Sequence, residues 1–393
     1  MARIAPSLDQ VEYSRIREVA EAAMGMEDVL RLYFGESSEP TPAFIKEAAA
    51  RALADGYTFY SENAGLPSLR SALAASCARM HGVDLDPAAE IVVTASGVQA
   101  LSLAIRCVID PGDEALVLTP AWPNAAAAVA MCAGLAHEVP QPLVGSHYTI
   151  DFDRLEASLT PRTRLLCVAS PSNPLGWVAT VDEQARLLAF CREHDLWLLA
   201  DEVYERLWYG AAEPGEPAPS ILRLASRDDA VVVIQSFSKT YCMTGWRVGW
   251  LVGPAPLARR AGELNEIVVS HAPTFVQKAA EVALADGEEW VREQVRDLAG
   301  KREICLDALR AMPGVTVPDP DGAFYVFPRI EGLTNSVELC RRLLVEHRVG
   351  LAPGVAFGAG GEGSIRVCYA VARPILEAAL QRLAAFLAAG RLP

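Results

Sequence analysis

Five short runs of branched aliphatic residues, near 91–94, 115–119, 164–169, 196–200 and 231–235, alternate with stretches of helical apolar spacing near 98–109, 124–133, 182–194 and 255–267. Runs that leave no polar face have to be covered on both sides. Strands of that kind, separated by amphipathic helices, pair into a mostly parallel sheet. The pattern therefore predicts an α/β domain with helices on both faces of its sheet. In such sheets ligands sit beyond the carboxyl ends of the strands, which directs attention to what each run empties into.

The run Val231 to Ile234 empties into Gln235-Ser236-Phe237-Ser238-Lys239, and Arg247 follows. A lysine at the mouth of a buried strand is placed to lose its proton and attack a carbonyl. Ser236, Ser238 and Arg247 offer two hydroxyl donors and a forked cation, which is what a phosphate ester needs. A Schiff-base lysine beside a phosphate clamp suggests pyridoxal 5'-phosphate; a surface lysine with a structural arginine is the plain alternative. The run 196–200 delivers Asp201-Glu202-Val203-Tyr204. A carboxylate leaving an apolar strand is costly unless it meets a cation, and a protonated pyridine nitrogen would be one; an aspartate capping the next helix is the other reading. The strand 91–94 ends in Thr94-Ala95-Ser96-Gly97-Val98, where free N–H groups at a helix start suit a phosphate. Ser-Gly also caps many helices that bind nothing. Trp122, just after the run 115–119, is either a ring-stacking residue or plain core. Farther on, Ser364-Ile365-Arg366-Val367-Cys368-Tyr369-Ala370 sets an arginine among apolar residues with no carboxylate near it in sequence. A buried arginine needs an anion, supplied by a ligand or by an internal salt bridge.

Ser236, Ser238, Lys239, Gly245, Arg247 and Gly249 together resemble the lysine signature of the class I/II aminotransferases, fold-type I pyridoxal phosphate enzymes like aspartate aminotransferase. The resemblance extends through Asn173 in Ser172-Asn173-Pro174-Leu175-Gly176, similar to the family's Asn-Pro-x-Gly turn with Leu175 in place of the common threonine. It implies that Asn173 and Tyr204 meet the phenolic oxygen of the cofactor. Asp201 would hold its pyridinium, Trp122 would stack on its ring, and Ser96, Gly97, Val98, Ser236, Ser238 and Arg247 would surround its phosphate. Tyr60, in Tyr60-Ser61-Glu62-Asn63-Ala64-Gly65 with Leu69-Arg70 after it, would reach the phosphate of a neighbouring subunit. Gly35 would lie against the substrate together with Trp122 and Asn173, and Arg366 would bind its α-carboxylate. Lys239, Asp201 and Tyr204 would be the catalytic set. The activity implied is ping-pong transamination between amino acids and 2-oxo acids, an EC 2.6.1-type reaction in a homodimer with shared active sites. A β-lyase, racemase or oxidase on the same fold is the enzymatic alternative, since fold and cofactor do not fix which bond breaks. An effector-sensing half of a transcription regulator would need a helix-turn-helix extension, for which residues 1–30 leave no room.

At 393 residues the chain is long for one core. The reading is a large cofactor-binding domain at 43–287 with a seven-stranded type of sheet. A smaller α+β domain would form from residues 1–42 and from 288–393, a linker helix and the C-terminal part. A helix is expected within residues 9–30, ending before the Gly35 loop. A net charge of −14 argues against nucleic acid and anionic membranes as partners. Nine scattered cysteines without C-x-x-C spacing argue against a disulfide framework and a zinc site, and place the chain in a reducing cytoplasm. Six histidines without paired spacing predict no metal. Residues 1–14 lack the apolar core of a signal peptide. The uncharged run Ala115–Ala136 is broken by Pro120, Pro123 and Asn124, so it reads as strand, loop and helix and not as a membrane span. Substrate side-chain specificity is expected from the loops around Tyr33, Trp122 and His271.

Overall fold

A computed structural model describes residue 11, residues 14–390 and residues 392 and 393; most of the expected non-signal N-terminus lies outside these. The seven-stranded sheet contains β1 (Ile91–Thr94), β2 (Glu114–Thr119), β3 (Leu135–Pro140), β4 (Thr163–Ala169), β5 (Trp197–Asp201), β6 (Val231–Ser236) and β7 (Gly249–Val252). Their order across the sheet is β1-β7-β6-β5-β4-β2-β3. The contacts among β2 to β6 are parallel, and β7 runs antiparallel to both of its neighbours, β6 and β1. The expected mostly parallel sheet is present.

Its core follows from the period of two along each strand. Val231 and Val233 pack into one layer while Val232 and Ile234 pack into the other, all of them buried. Burying each such side chain contributes about 1.5–3 kcal/mol, so a polar substitution on either face of β6 would undermine the strand that carries Lys239. Two strands escaped the aliphatic-run criterion. β3 is a half-exposed edge strand, Leu-Ala-His-Glu-Val-Pro, and so lacks a continuous apolar run. β7, Gly249-Trp250-Leu251-Val252, holds only two branched aliphatic residues and follows on the lysine loop.

The N-terminal helix spans Arg15–Ala23, capped by the Ser14 hydroxyl accepting from Arg17 N. It ends well before residue 30 because Gly25 follows and Leu30–Arg31 is drawn into parallel pairing with Val349–Gly350. The helix Glu288–Arg310 leads to the pairing of Tyr325–Val326 with Ile365–Cys368, and Ala352–Pro353 flanks the latter strand. Helices Ser336–His347 and Arg373–Ala388 cover this region. Among the described residues no helix is long and apolar enough to cross a membrane.

Candidate active site

The carboxyl ends of β1, β2, β4, β5 and β6 converge on one cavity of about 360 Å³. Of the candidates, Gly35, Gly97, Val98, Trp122, Asn173, Asp201, Tyr204, Ser236, Ser238, Lys239, Arg247 and Arg366 all line it. Ser96 and Tyr60 stand outside its wall.

Lys239 sits in a short helix, Phe237–Thr240, that begins as β6 ends and is capped by the Ser236 hydroxyl. Its Nζ donates to Gly35 O at 2.6 Å. Burial, reinforced by the nearby Arg366 charge, lowers the ammonium from its ordinary value to about 8, so a substantial share of the amine is neutral near physiological pH. Asp201 ends β5, and Val203 N donates to it at 3.3 Å. Burial pushes its carboxyl up to about 6, against the pull of that N–H and of Lys239. A carboxylate so placed gains most from a cation arriving in the cavity.

The other polar groups gather around the start of the helix Gly97–Val108. Ser96, which caps that helix by accepting from Gln99 N at 3.1 Å, has a φ of 136°, a costly conformation for a residue with a side chain. The turn is held by Thr94 Oγ1 donating to Ser96 O. Close approach explains Gly249: a Cβ there would stand 2.5 Å from Gly97 N, so only glycine lets β7 lie against this helix start. Beside it, Ser236 Oγ donates to Ser238 Oγ at 2.9 Å, and Arg247, in the left-handed region at φ 53°, donates to Thr244 O. Hydroxyls, a guanidinium and first-turn N–H groups converge here as a phosphate would require.

Arg366 forms the opposite end. It is 2% exposed, and its guanidinium lies over the rings of Tyr325 and Phe357, 4.6 and 5.0 Å from their centroids. Nη1 donates to Asn173 Oδ1 at 2.9 Å and Nη2 to Tyr33 O. Nε is buried without a partner, and among the described residues Arg366 has no ion pair. The internal salt bridge considered from sequence is therefore absent from this region, and the positive charge lacks an anion. Tyr204 Oη hydrogen-bonds Tyr325 Oη at 2.7 Å.

The three loops expected to carry specificity meet the cavity differently, with Trp122 in its wall. The Tyr33 side chain turns away from the cavity and packs on Gly350, where a Cβ would come within 2.4 Å of its ring; Phe34 lines the cavity instead. His271 lies outside the wall, its Nδ1 donating to Ala272 O and its ring 5.7 Å from that of Tyr60. Tyr60 itself is 90% exposed. Sequence reasoning missed Ser14, Ile16, Arg17 and Thr244 in the cavity wall, and the Tyr325 and Phe357 rings behind Arg366. The aromatic run Phe324-Tyr325-Val326-Phe327 was a visible signal for Tyr325, but one that ordinary core packing also produces. Among the described residues no group of three His, Cys, Asp or Glu side chains could hold a metal ion.

A lysine at one strand mouth, a carboxylate at the next, a cluster of hydroxyls and a guanidinium, and a buried arginine without an ion pair line one cavity; the lysine, the Asp201 carboxylate and the hydroxyl–guanidinium cluster are the kinds of group pyridoxal phosphate would need for its aldehyde, ring nitrogen and phosphate. Residues 27–383 match the family described as aminotransferase class I and II. The chain is 36% identical over 380 residues to an aspartate aminotransferase of Pyrococcus abyssi, covering 96% of each chain. It is equally identical, with the same coverage, to aromatic-amino-acid aminotransferase 2 of Thermococcus litoralis. A solved single mutant of the Thermus thermophilus aspartate aminotransferase superposes with a TM-score of 0.90 at 32% identity, over 98% of this chain and 100% of the other. The chain belongs to the class I and II aminotransferases. It is an enzyme of amino-group transfer, and family membership implies pyridoxal phosphate.

Proposed function

We propose that this chain transfers an amino group from an amino acid to a 2-oxo acid by a ping-pong mechanism, with pyridoxal 5'-phosphate held on Lys239. The observation that carries the reading is the Lys239 amine, with its lowered pKa, in one cavity with an arginine that has no internal anion. The cofactor supplies an aldehyde for amine exchange and a ring that accepts electrons. Arg247, Ser236, Ser238 and the N–H groups of Gly97 and Val98 hold its phosphate, with Ser96 fixing the turn. Asp201 keeps the ring nitrogen protonated. Asn173 and Tyr204 would donate to the phenolic oxygen of the cofactor, and Trp122, also in the cavity wall, would contact its ring. Arg366 takes the substrate carboxylate in a bidentate grip and so orients the Cα–H bond. Lys239 Nζ removes that proton and returns one, acting as base and then acid. Gly35 O, which accepts from Nζ at 2.6 Å, steadies the amine between those roles.

The names of the relatives suggest acidic and aromatic amino acids as substrates. Arg17 beside Ile16, Phe34 and Trp122 in the cavity wall suits both kinds of side chain. A half-reaction screen tests this: each amino acid is added to the holoenzyme and the cofactor absorbance followed to pyridoxamine phosphate. Conversion by aspartate, glutamate or aromatic donors with release of the 2-oxo acid is expected. Release of pyruvate and ammonia would favour a β-lyase, and no conversion by any amino acid would overturn the proposal.

The active unit we propose is a homodimer in which Tyr60 reaches the partner's phosphate site. Its support is the exposure of large apolar side chains in two segments, Phe59 at 80% with Tyr60 at 90%, and Ile267 at 82% with its neighbour Val268. Light scattering at assay concentration should give twice the chain mass; a fully active monomer would refute the shared site. We also take residues 1–42 with 288–393 as a small domain against 43–287, on the strength of the pairing of Leu30–Arg31 with Val349–Gly350. Nine free thiols favour a reducing cytoplasm.

A further inference from the structure

Tyr325 lies outside the cavity wall, yet it touches three groups that form it. It is fully buried in the strand Tyr325–Val326, paired with the strand that bears Arg366. The Arg366 guanidinium lies 4.6 Å above its ring centroid, a cation–π contact in a desolvated setting. Its hydroxyl is 2.7 Å from that of Tyr204 and abuts Gly35, where a Cβ would stand 2.3 Å from Tyr325 Oη. Gly35 in turn is the residue whose carbonyl accepts from Lys239.

The direction of the phenol–phenol bond follows from counting partners. Among the described residues Tyr204 is the one hydrogen-bond partner of the Tyr325 hydroxyl. If Tyr325 accepted there, its own proton would be buried without an acceptor, which is the costly arrangement. Tyr325 therefore donates, and Tyr204, whose side chain lines the cavity, keeps its proton for a group inside it. Burial pushes both phenols above their ordinary values, so both carry protons at neutral pH.

We infer that Tyr325 is a positioning residue for amino-group transfer: its hydroxyl turns the Tyr204 proton toward the cofactor while its ring face holds the Arg366 guanidinium for the substrate carboxylate. The inference rests on the pyridoxal phosphate reading of the cavity. One side chain thereby ties the cofactor-facing phenol to the carboxylate-binding cation, and its two parts separate by mutation.

Tyr325→Phe keeps the ring and removes the hydroxyl. Without the donated bond Tyr204 is a weaker donor to the cofactor oxygen. The pH titration of the visible band of the bound cofactor should then move up by about half a unit to one unit. kcat should fall about tenfold with KM within about twofold. Tyr325→Leu, which also removes the ring, should in addition raise KM for amino acids about tenfold and weaken inhibition by simple carboxylates to match. Tyr204→Phe and the Tyr204→Phe/Tyr325→Phe pair should titrate alike, because the hydroxyl of Tyr325 acts through Tyr204. An unchanged midpoint in Tyr325→Phe, or additive shifts in the double variant, would overturn the inference while leaving the cofactor reading standing. A wild-type protein that forms no visible band with pyridoxal phosphate would overturn both.

Discussion

The two walls of the cavity are built on different principles. On one wall, Asp201 ends β5, Ser236 ends β6, and Lys239 follows three residues later, so the backbone of a buried parallel sheet sets where each group stands. On the other, Arg366 lies in mid-strand, and groups from remote segments set its orientation: two ring faces, Asn173 Oδ1 and the backbone carbonyl of Tyr33. The first wall places chemistry by topology, the second by packing. Substitutions on the first should remove one function cleanly. Substitutions around the second should blur binding and chemistry together.

The largest effect belongs to the first wall. Lys239→Ala should cost about four orders of magnitude in turnover, the upper end of what a positioned proton-transfer group contributes. Folding and pyridoxal phosphate affinity should persist through Arg247, Ser236 and Ser238, as thermal melting and equilibrium dialysis would report. Turnover near wild type would erase the distinction between the walls. Next comes Arg366→Lys on the second wall. Lysine cannot reproduce the planar fork, and kcat/KM for amino acids should fall about a hundredfold, the scale of roughly 3 kcal/mol of oriented charge-assisted bonding. Amines without a carboxylate should be much less affected; equal losses would make the arginine a structural element.

A smaller effect is read from pH. The neutral amine is the nucleophile, and burial sets the Lys239 pKa at about 8. The rate at which the apoprotein captures pyridoxal phosphate should therefore rise about tenfold between pH 7 and pH 9, following deprotonation, and then level off. A rate still climbing toward pH 10.5 would mean the amine is not desolvated. The smallest effect is at Arg17, an exposed residue at the cavity rim. An exposed ion pair is worth up to about 1 kcal/mol, so Arg17→Gln should lower kcat/KM for aspartate by no more than about fivefold and leave phenylalanine unchanged.

This contrast also explains how much could be read from the sequence. Asp201, Lys239 and Asn173 each follow an apolar run closely, so the run announces the strand and the polar residue announces its end. The sheet, its helices and the strand-end wall were legible for that reason. Arg366 was legible as an oddity, a charge in an apolar strand. Its supports were not: Tyr325, Phe357 and the carbonyl of Tyr33 meet it only through folding, and nothing local distinguishes them from core aromatics or loop backbone. Tyr33 shows the limit from the other side, since its loop reaches the site while its ring turns to Gly350. β3 and β7 went unseen because an edge strand with exposed polar residues and a strand reading Gly-Trp-Leu-Val hold no continuous branched aliphatic run.

The central claim is that the amine at the end of β6 is where the cofactor is held. Borohydride reduction of the holoenzyme, followed by proteolysis and peptide mass mapping, tests it directly. The account predicts a stable phosphopyridoxyl group on the peptide containing Lys239 and none in the Lys239→Ala protein. A label on any other lysine, or an equal yield in the variant, would contradict it.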